Sequence, residues 1–134
     1  MNRSTTFVTL LCLWLPGCRG PDRDLPSAYR DLAVPEQRLG SPAARQQGRE
    51  LYAQHCALCH GERADGRGPR RAALSTRPAD FTDPSWRAGA TPRRVYFVIR
   101  EGVSGTPMPA WPMLKPGETW DLVAYLLSVG ERKR

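Results

Sequence analysis

The residues that build most metal sites and disulfide frameworks are scarce in this chain. Its 134 residues include two histidines, His55 and His60, and four cysteines. A structural zinc needs four ligands at workable spacing. Here both histidines crowd against Cys56 and Cys59, and no second cysteine pair follows downstream. No strand pattern precedes Cys56, which argues against the strand-to-helix setting of a thioredoxin-like dithiol. A disulfide between Cys56 and Cys59 would close a strained, tiny loop and leave His60 unexplained. There is no internal repeat. The arginines are scattered over expected loops without a DNA- or RNA-binding motif, so nucleic acid is not an expected partner.

What the chain does have is Cys56-Ala57-Leu58-Cys59-His60. This is C-x-x-C-H, the pattern for covalent attachment of a c-type haem. Two thiols three positions apart can each add to a vinyl group of one haem. The adjacent histidine then falls beneath the ring, where its imidazole can bind the iron as proximal ligand. The motif occurs once, so one haem is expected.

The length suits one domain with a modest core. Twelve glycines and thirteen prolines predict many loops and no long regular sheet. A haem fits such a chain by supplying a large apolar body to pack around. The net charge is +7. Solubility and an arginine-rich source composition are bland explanations; docking to an acidic redox partner or an anionic membrane surface is the functional one.

Met1 to Leu15 reads as a secretory signal, with Arg3 in a positive n-region and Thr6 to Leu15 as an apolar run too short to span a bilayer as a mature helix. Leu15-Pro16-Gly17-Cys18 then resembles a bacterial lipobox. The resemblance implies cleavage before Cys18 and a lipid on its sulfur; the alternative is an ordinary signal peptide and a soluble periplasmic protein. Cys12 would leave with the signal, so no pair remains for a structural disulfide. Arg19 to Gly40 holds Pro21, Pro26 and Pro35 and no helical period. It is expected to be a flexible tether, reaching roughly 25 Å as a coil. If part of it is ordered, Leu25, Tyr29, Leu32 and Val34 are the residues that would pack.

Ser41-Pro42 is an N-cap followed by a favoured first helical residue, predicting a helix from Pro42 to about His55. Gly48 and Tyr52 share one face of it. A mid-helix glycine costs about 1 kcal/mol against alanine, which suggests close contact with another helix. Thr91-Pro92 repeats the signature, with a helix to about Glu101, a stripe of Val95, Val98 and Ile99, and Gly102 as a stop. Arg93 and Arg94 in its first turn hint at a docking patch. A last helix begins at Pro116-Gly117-Glu118 and ends at Gly130, with Trp120, Val123, Ala124 and Leu127 on one stripe.

These features resemble the class I cytochromes c, over about residues 41–130. In that family a glycine and an aromatic on the first helix cross an aromatic-bearing last helix; Gly48 and Tyr52 match the first half, and Trp120 and Tyr125 can supply the second. The resemblance also implies that Pro69, after the glycine-rich segment from Gly61, places its carbonyl on Nδ1 of the proximal His60, fixing the ring and raising its donor strength. Arg77 either pairs with a haem propionate or is solvated. Phe81 and Trp86 either line the haem edge or fill a satellite cluster. Gly105-Thr106-Pro107-Met108-Pro109 resembles the family's distal loop, making Met108 the expected second iron ligand. Met113 is the competitor, and His55 is a poor candidate beside Cys56.

The expected fold is all-α, a cytochrome c fold of three to four helices around one covalently bound haem. The expected domains are 1–17, a lipoprotein-type signal peptide; 18–40, a lipidated N-terminus and tether; and 41–134, a monohaem cytochrome c domain. The expected function is single-electron transfer on the periplasmic side, with no substrate altered and with redox proteins and, through the lipid, the membrane as partners. Two alternatives stay open: a fixed haem c subunit of a membrane oxidoreductase, and a ligand-binding or catalytic haem protein in which Met108 does not coordinate.

Overall fold

The structure is a computed structural model and describes residues 21–129 and 131. The signal and lipobox readings, Cys18 and Gly130 lie outside the described residues. Among those residues the regular structure is wholly helical. Seven α-helical segments run in chain order: α1 (Ser27–Arg30), α2 (Glu36–Gly40), α3 (Pro42–His55), α4 (Ala57–His60), α5 (Pro84–Gly89), α6 (Pro92–Glu101) and α7 (Pro116–Val129), with a 3-10 turn at Arg71–Ala73. The three expected helices are α3, α6 and α7; the other four are short.

The helix starts follow from side-chain chemistry. Ser41 Oγ accepts the Ala44 N–H, and Thr91 Oγ1 accepts the Arg94 N–H at 3.1 Å, each followed by proline at the first helical position. Asp83-Pro84 starts α5 in the same way, its carboxylate accepting the Ser85 N–H at 2.8 Å. Glu118 reaches back to the Lys115 N–H at 2.8 Å to start α7.

Helix α7 is the centre of the domain. It is buried almost all round, with Leu122 and Val123 sealed from solvent. Helix α3 crosses it at Gly48, where an added Cβ would lie 1.9 Å from the Asp121 carbonyl oxygen and 2.9 Å from the Tyr125 Cβ. The Tyr52 and Tyr125 rings meet beside the crossing, 5.2 Å between centroids. Helix α6 packs on the other side through Val95, Tyr96 and Ile99, with Tyr96 4.4 Å from the Trp120 ring. Helix α5 is tied to the end of α7 by Arg87, which reaches the Leu127 carbonyl and Glu131.

The stretch expected as a flexible tether is corrected by the structure: residues 21–40 form a strap laid over α6 and α7. Leu25 is buried, and Tyr29 packs on Phe97 at 4.9 Å with its hydroxyl on Glu101. Arg38 forms a two-point ion pair with Asp121, 2.7 and 2.9 Å. The reason is charge as well as apolar contact. Asp22 and Asp24 meet Arg93 and Arg94, and Arg93 also donates to the Leu32 carbonyl at 2.8 Å. The arginines read as a docking hint on α6 are therefore engaged within the chain.

Candidate haem-binding site

Helix α3 delivers the motif. The Cys56 N–H still bonds to the Tyr52 carbonyl at 2.8 Å, but φ −116° at Cys56 bends the chain into the single turn of α4. Cys56, Cys59 and His60 thus stand on one turn, half-buried, with both thiols free. Burial pushes the Cys56 thiol up to about 12, so at neutral pH it stays protonated.

The loop after α4 folds back to satisfy the carbonyls this short helix leaves open. Gly66 N–H bonds to His60 O at 2.8 Å, Gly68 N–H to Cys59 O at 3.1 Å and Arg70 N–H to Leu58 O at 3.0 Å. The Tyr52 hydroxyl donates to the Gly61 carbonyl at 2.7 Å, a brace across the motif that the sequence reading missed.

His60 is oriented from two sides. Its ring stacks on Phe81, centroids 4.7 Å apart and planes 25° from parallel. Its Nδ1 lies 3.1 Å from the Ala79 carbonyl oxygen. A carbonyl only accepts, so Nδ1 carries the proton and Nε2 keeps its lone pair. Burial holds the imidazole below its usual value, keeping it neutral, although the Ala79 bond works the other way. The acceptor is a correction: it is Ala79, not Pro69. Pro69 is exposed, and its segment is spent bonding backbone to Leu58 and Cys59 instead. Phe81 belongs to the main core beneath His60, and Trp86 packs on it edge-on at 4.8 Å.

Pro69 and Arg77 line one open cleft of about 580 Å³, together with Arg67, Arg71 and Leu74. Arg77 is exposed and makes no hydrogen bond or ion pair among the described residues.

Met108 is half-buried in a closed loop. Val103 N–H bonds to Met108 O at 3.2 Å, and Met108 N–H to Thr106 Oγ1 at 3.2 Å. Trp111 N–H bonds to Ile99 O at 3.0 Å, tying the loop to α6. Arg100 clamps its far end by donating to the Leu114 carbonyl at 2.6 Å. Met113, the competing ligand, is 68% exposed.

This donor set fits a haem c. It offers two free thiols on one turn, a neutral imidazole with its proton fixed on the far nitrogen, and a thioether in a pinned loop. Among the described residues no group of three or more His, Cys, Asp or Glu could hold a bare metal ion.

Residues 43–126 match the family model described as cytochrome c oxidase, cbb3-type, subunit III. The chain belongs to that family. It is a monohaem class I c-type cytochrome domain, and the cofactor of the family is a covalently bound haem c. The cbb3-type cytochrome c oxidase subunit FixP of Azorhizobium caulinodans is 33% identical over 92 residues, which are 68% of this chain and 29% of that protein. A thiosulfate dehydrogenase of Stutzerimonas stutzeri is 27% identical over 122 residues, 90% of this chain and 38% of that one. Among solved structures, the reducing HAO-like protein complex of Kuenenia stuttgartiensis aligns with a TM-score of 0.56 at 26% identity, covering 66% of this chain and 44% of the matched chain. This cbb3-type cytochrome domain thus spans only a part of each of these relatives. Domains of this kind are exported to the periplasmic side. No helix among the described residues is long and apolar enough to cross a membrane.

Proposed function

We propose that the chain is a single-electron carrier in a periplasmic redox chain and that no substrate is chemically altered on it. One observation carries this reading: Cys56, Cys59 and His60 share a single turn, and His60 Nδ1 is committed to the Ala79 carbonyl. Cys56 and Cys59 would hold the haem as thioethers, with His60 and Met108 as the two side chains that would ligate its iron. When bound, the haem supplies a low-spin iron that gains and loses one electron. The chain's part is to hold the two ligands still. Phe81 and Ala79 fix the ring of His60, and the bonds from Val103, Thr106 and Ile99 fix the Met108 loop. A methionine ligand favours the reduced form and raises the potential.

The lipid anchor belongs to the same proposal. The functional unit is the cytochrome domain 41–134 with the strap added in front of it. Only Arg19 and Gly20 separate Cys18 from the strap's first described residue, Pro21. That is a reach of about 10 Å even when extended. A domain so attached stays beside the membrane, which favours a fixed haem subunit of an oxidoreductase over a freely swinging shuttle.

The test is an optical spectrum of the protein matured with haem, oxidised and reduced, for the parent and for Met108→Ala. Haem retained after denaturation, sharp reduced α and β bands, and a weak far-red ferric band lost in the variant support the reading. Carbon monoxide binding to the reduced parent at neutral pH moves it to ligand binding or catalysis. Co-purification with a larger enzyme after detergent extraction supports the fixed subunit.

A further inference from the structure

The chain has two histidines, and the site described above uses one of them. The other, His55, is the last residue of α3 and directly precedes Cys56. Its ring makes no hydrogen bond or ion pair among the described residues. It is half-buried and lies against the half-buried indole of Trp111, 5.2 Å between centroids and 51° between planes. Trp111 belongs to the Met108 loop and stands three residues beyond Met108.

The leading half of this loop is a turn of its own, closed by Thr106 N–H on the Val103 carbonyl at 3.1 Å, and a Cβ added to Gly105 would meet nothing within 4 Å. The trailing half carries the attachment. Trp111 N–H bonds to the Ile99 carbonyl at 3.0 Å, and the Trp111 carbonyl accepts the Leu114 N–H at 3.3 Å. These bonds fix where the Trp111 backbone stands and leave its side-chain rotamer open. The ring is set by what it packs on, and from α3 that is His55. Pro109 stands between Met108 and Trp111, and Pro112 follows Trp111, so φ is locked on both sides. A link this stiff passes a displacement of Trp111 back to Met108 instead of absorbing it.

We propose that His55 and Trp111 form a latch that holds the Met108 loop shut against the end of the attachment helix, with His55 as a positioning residue for the distal ligand. This rests on the reading of Met108 as that ligand and adds what keeps it in place. The loop is then gripped by its backbone from α6 and by a side chain from α3. Opening it breaks the ring contact, because His55 stays with Cys56 on the attachment side while Trp111 leaves with Met108. A pair of aromatic rings in contact biases such an equilibrium by about 2- to 10-fold.

The test titrates the oxidised, haem-loaded protein with imidazole and follows the weak far-red ferric band, whose loss reports displacement of Met108. Apparent imidazole affinity rises in proportion as the closed loop is destabilised. His55→Leu should bind imidazole about 5-fold more tightly than the parent. His55→Phe keeps a ring against Trp111 and should stay near the parent. Trp111→Leu should match His55→Leu, and the double variant His55→Leu/Trp111→Leu should add little to either. Arg38→Met, which loosens the strap on α7, should leave the affinity unchanged. The two His55 variants decide the matter even if Trp111→Leu fails to fold. Additive gains in the double variant, or an equal gain in Arg38→Met, would overturn the proposal in favour of general softening. A His55→Phe variant as loose as His55→Leu would overturn it by showing that the ring contact holds nothing. A low-spin spectrum in Met108→Ala that turns high-spin when His55→Leu is added would assign His55 to the iron and not to a latch. A parent with covalent haem but no far-red band would remove the Met108 reading, and the latch with it.

Discussion

Gly48 and Asp121 meet where α3 and α7 cross, and a Cβ on Gly48 would stand 1.9 Å from the Asp121 carbonyl oxygen. That oxygen is backbone in the central helix and moves only if the two helices separate. Gly48→Ala gains about 1 kcal/mol of helix propensity and loses more to overpacking. We expect a net destabilisation of at least about 2 kcal/mol, read as a lowered thermal midpoint of the haem-loaded protein. An unchanged midpoint would mean that the crossing is loose.

Much of this crossing was legible beforehand, because glycine in the middle of a helix is expensive and Gly48 and Tyr52 share a face. The caps were legible as well: Ser41-Pro42 and Thr91-Pro92 carry their chemistry in adjacent residues. Asp83-Pro84 carries the same signature and starts α5, although that helix was not anticipated. The strap's apolar anchors, Leu25, Tyr29, Leu32 and Val34, were legible as the ordered alternative, but its polar attachment was not, for a physical reason. The strap has no helical period, and Arg38 finds Asp121 across 83 positions, a pairing no local pattern announces. The acceptor for His60 is a backbone carbonyl, so Ala79 has no side-chain signal of its own. Family resemblance pointed to a proline, Pro69, whose segment this chain uses to close the motif turn.

The Arg38–Asp121 pair should carry most of the strap's attachment to α7. The Asp121 side chain is 5% exposed, so removing Arg38 strands a buried carboxylate, whereas Arg38 is 46% exposed and its own loss of solvation is modest. Arg38→Met should cost about 2–3 kcal/mol. The double variant Arg38→Met/Asp121→Leu should recover most of that, since two apolar groups replace the pair without leaving a charge behind. A denaturant-unfolding cycle measures both, and strict additivity of the two single changes would rule out the coupling.

Tyr29 makes the strap sensitive to alkaline pH. Burial first, and then the hydrogen bond to Glu101, push its phenol up to about 12. An unfolded tyrosine titrates near 10. The folded state therefore favours the protonated form. The stability Tyr29 adds is fully present below about pH 10 and is lost as pH rises towards 12. Thermal midpoints of the parent and of Tyr29→Phe, compared from pH 8 to about pH 11.5, should show the parent's advantage shrinking across that window. A constant difference would mean that the hydroxyl titrates as it would in water.

Gly66 lies against the backbone whose Ala79 carbonyl accepts from His60 Nδ1. It sits at φ +70°, a conformation costly for any side chain, and an added Cβ would lie 2.8 Å from the Pro78 carbonyl oxygen and 3.3 Å from that of Ala79. Gly66→Ala should push the 78–79 backbone away and lengthen the His60–Ala79 bond. An imidazole whose Nδ1–H loses its acceptor is a weaker donor through Nε2. The oxidised iron is then less stabilised than the reduced iron, and the reduction potential should rise. Gly40→Ala is the matched control, because nothing lies within 4 Å of its added Cβ and no left-handed φ is involved. Redox titration of both variants, with nitrogen hyperfine couplings of the proximal imidazole as a second readout, checks the chain of cause. A raised potential with an altered imidazole signature in Gly66→Ala alone confirms that Ala79 tunes the haem. A drop in stability with both readouts unmoved would reduce Gly66 to a turn residue.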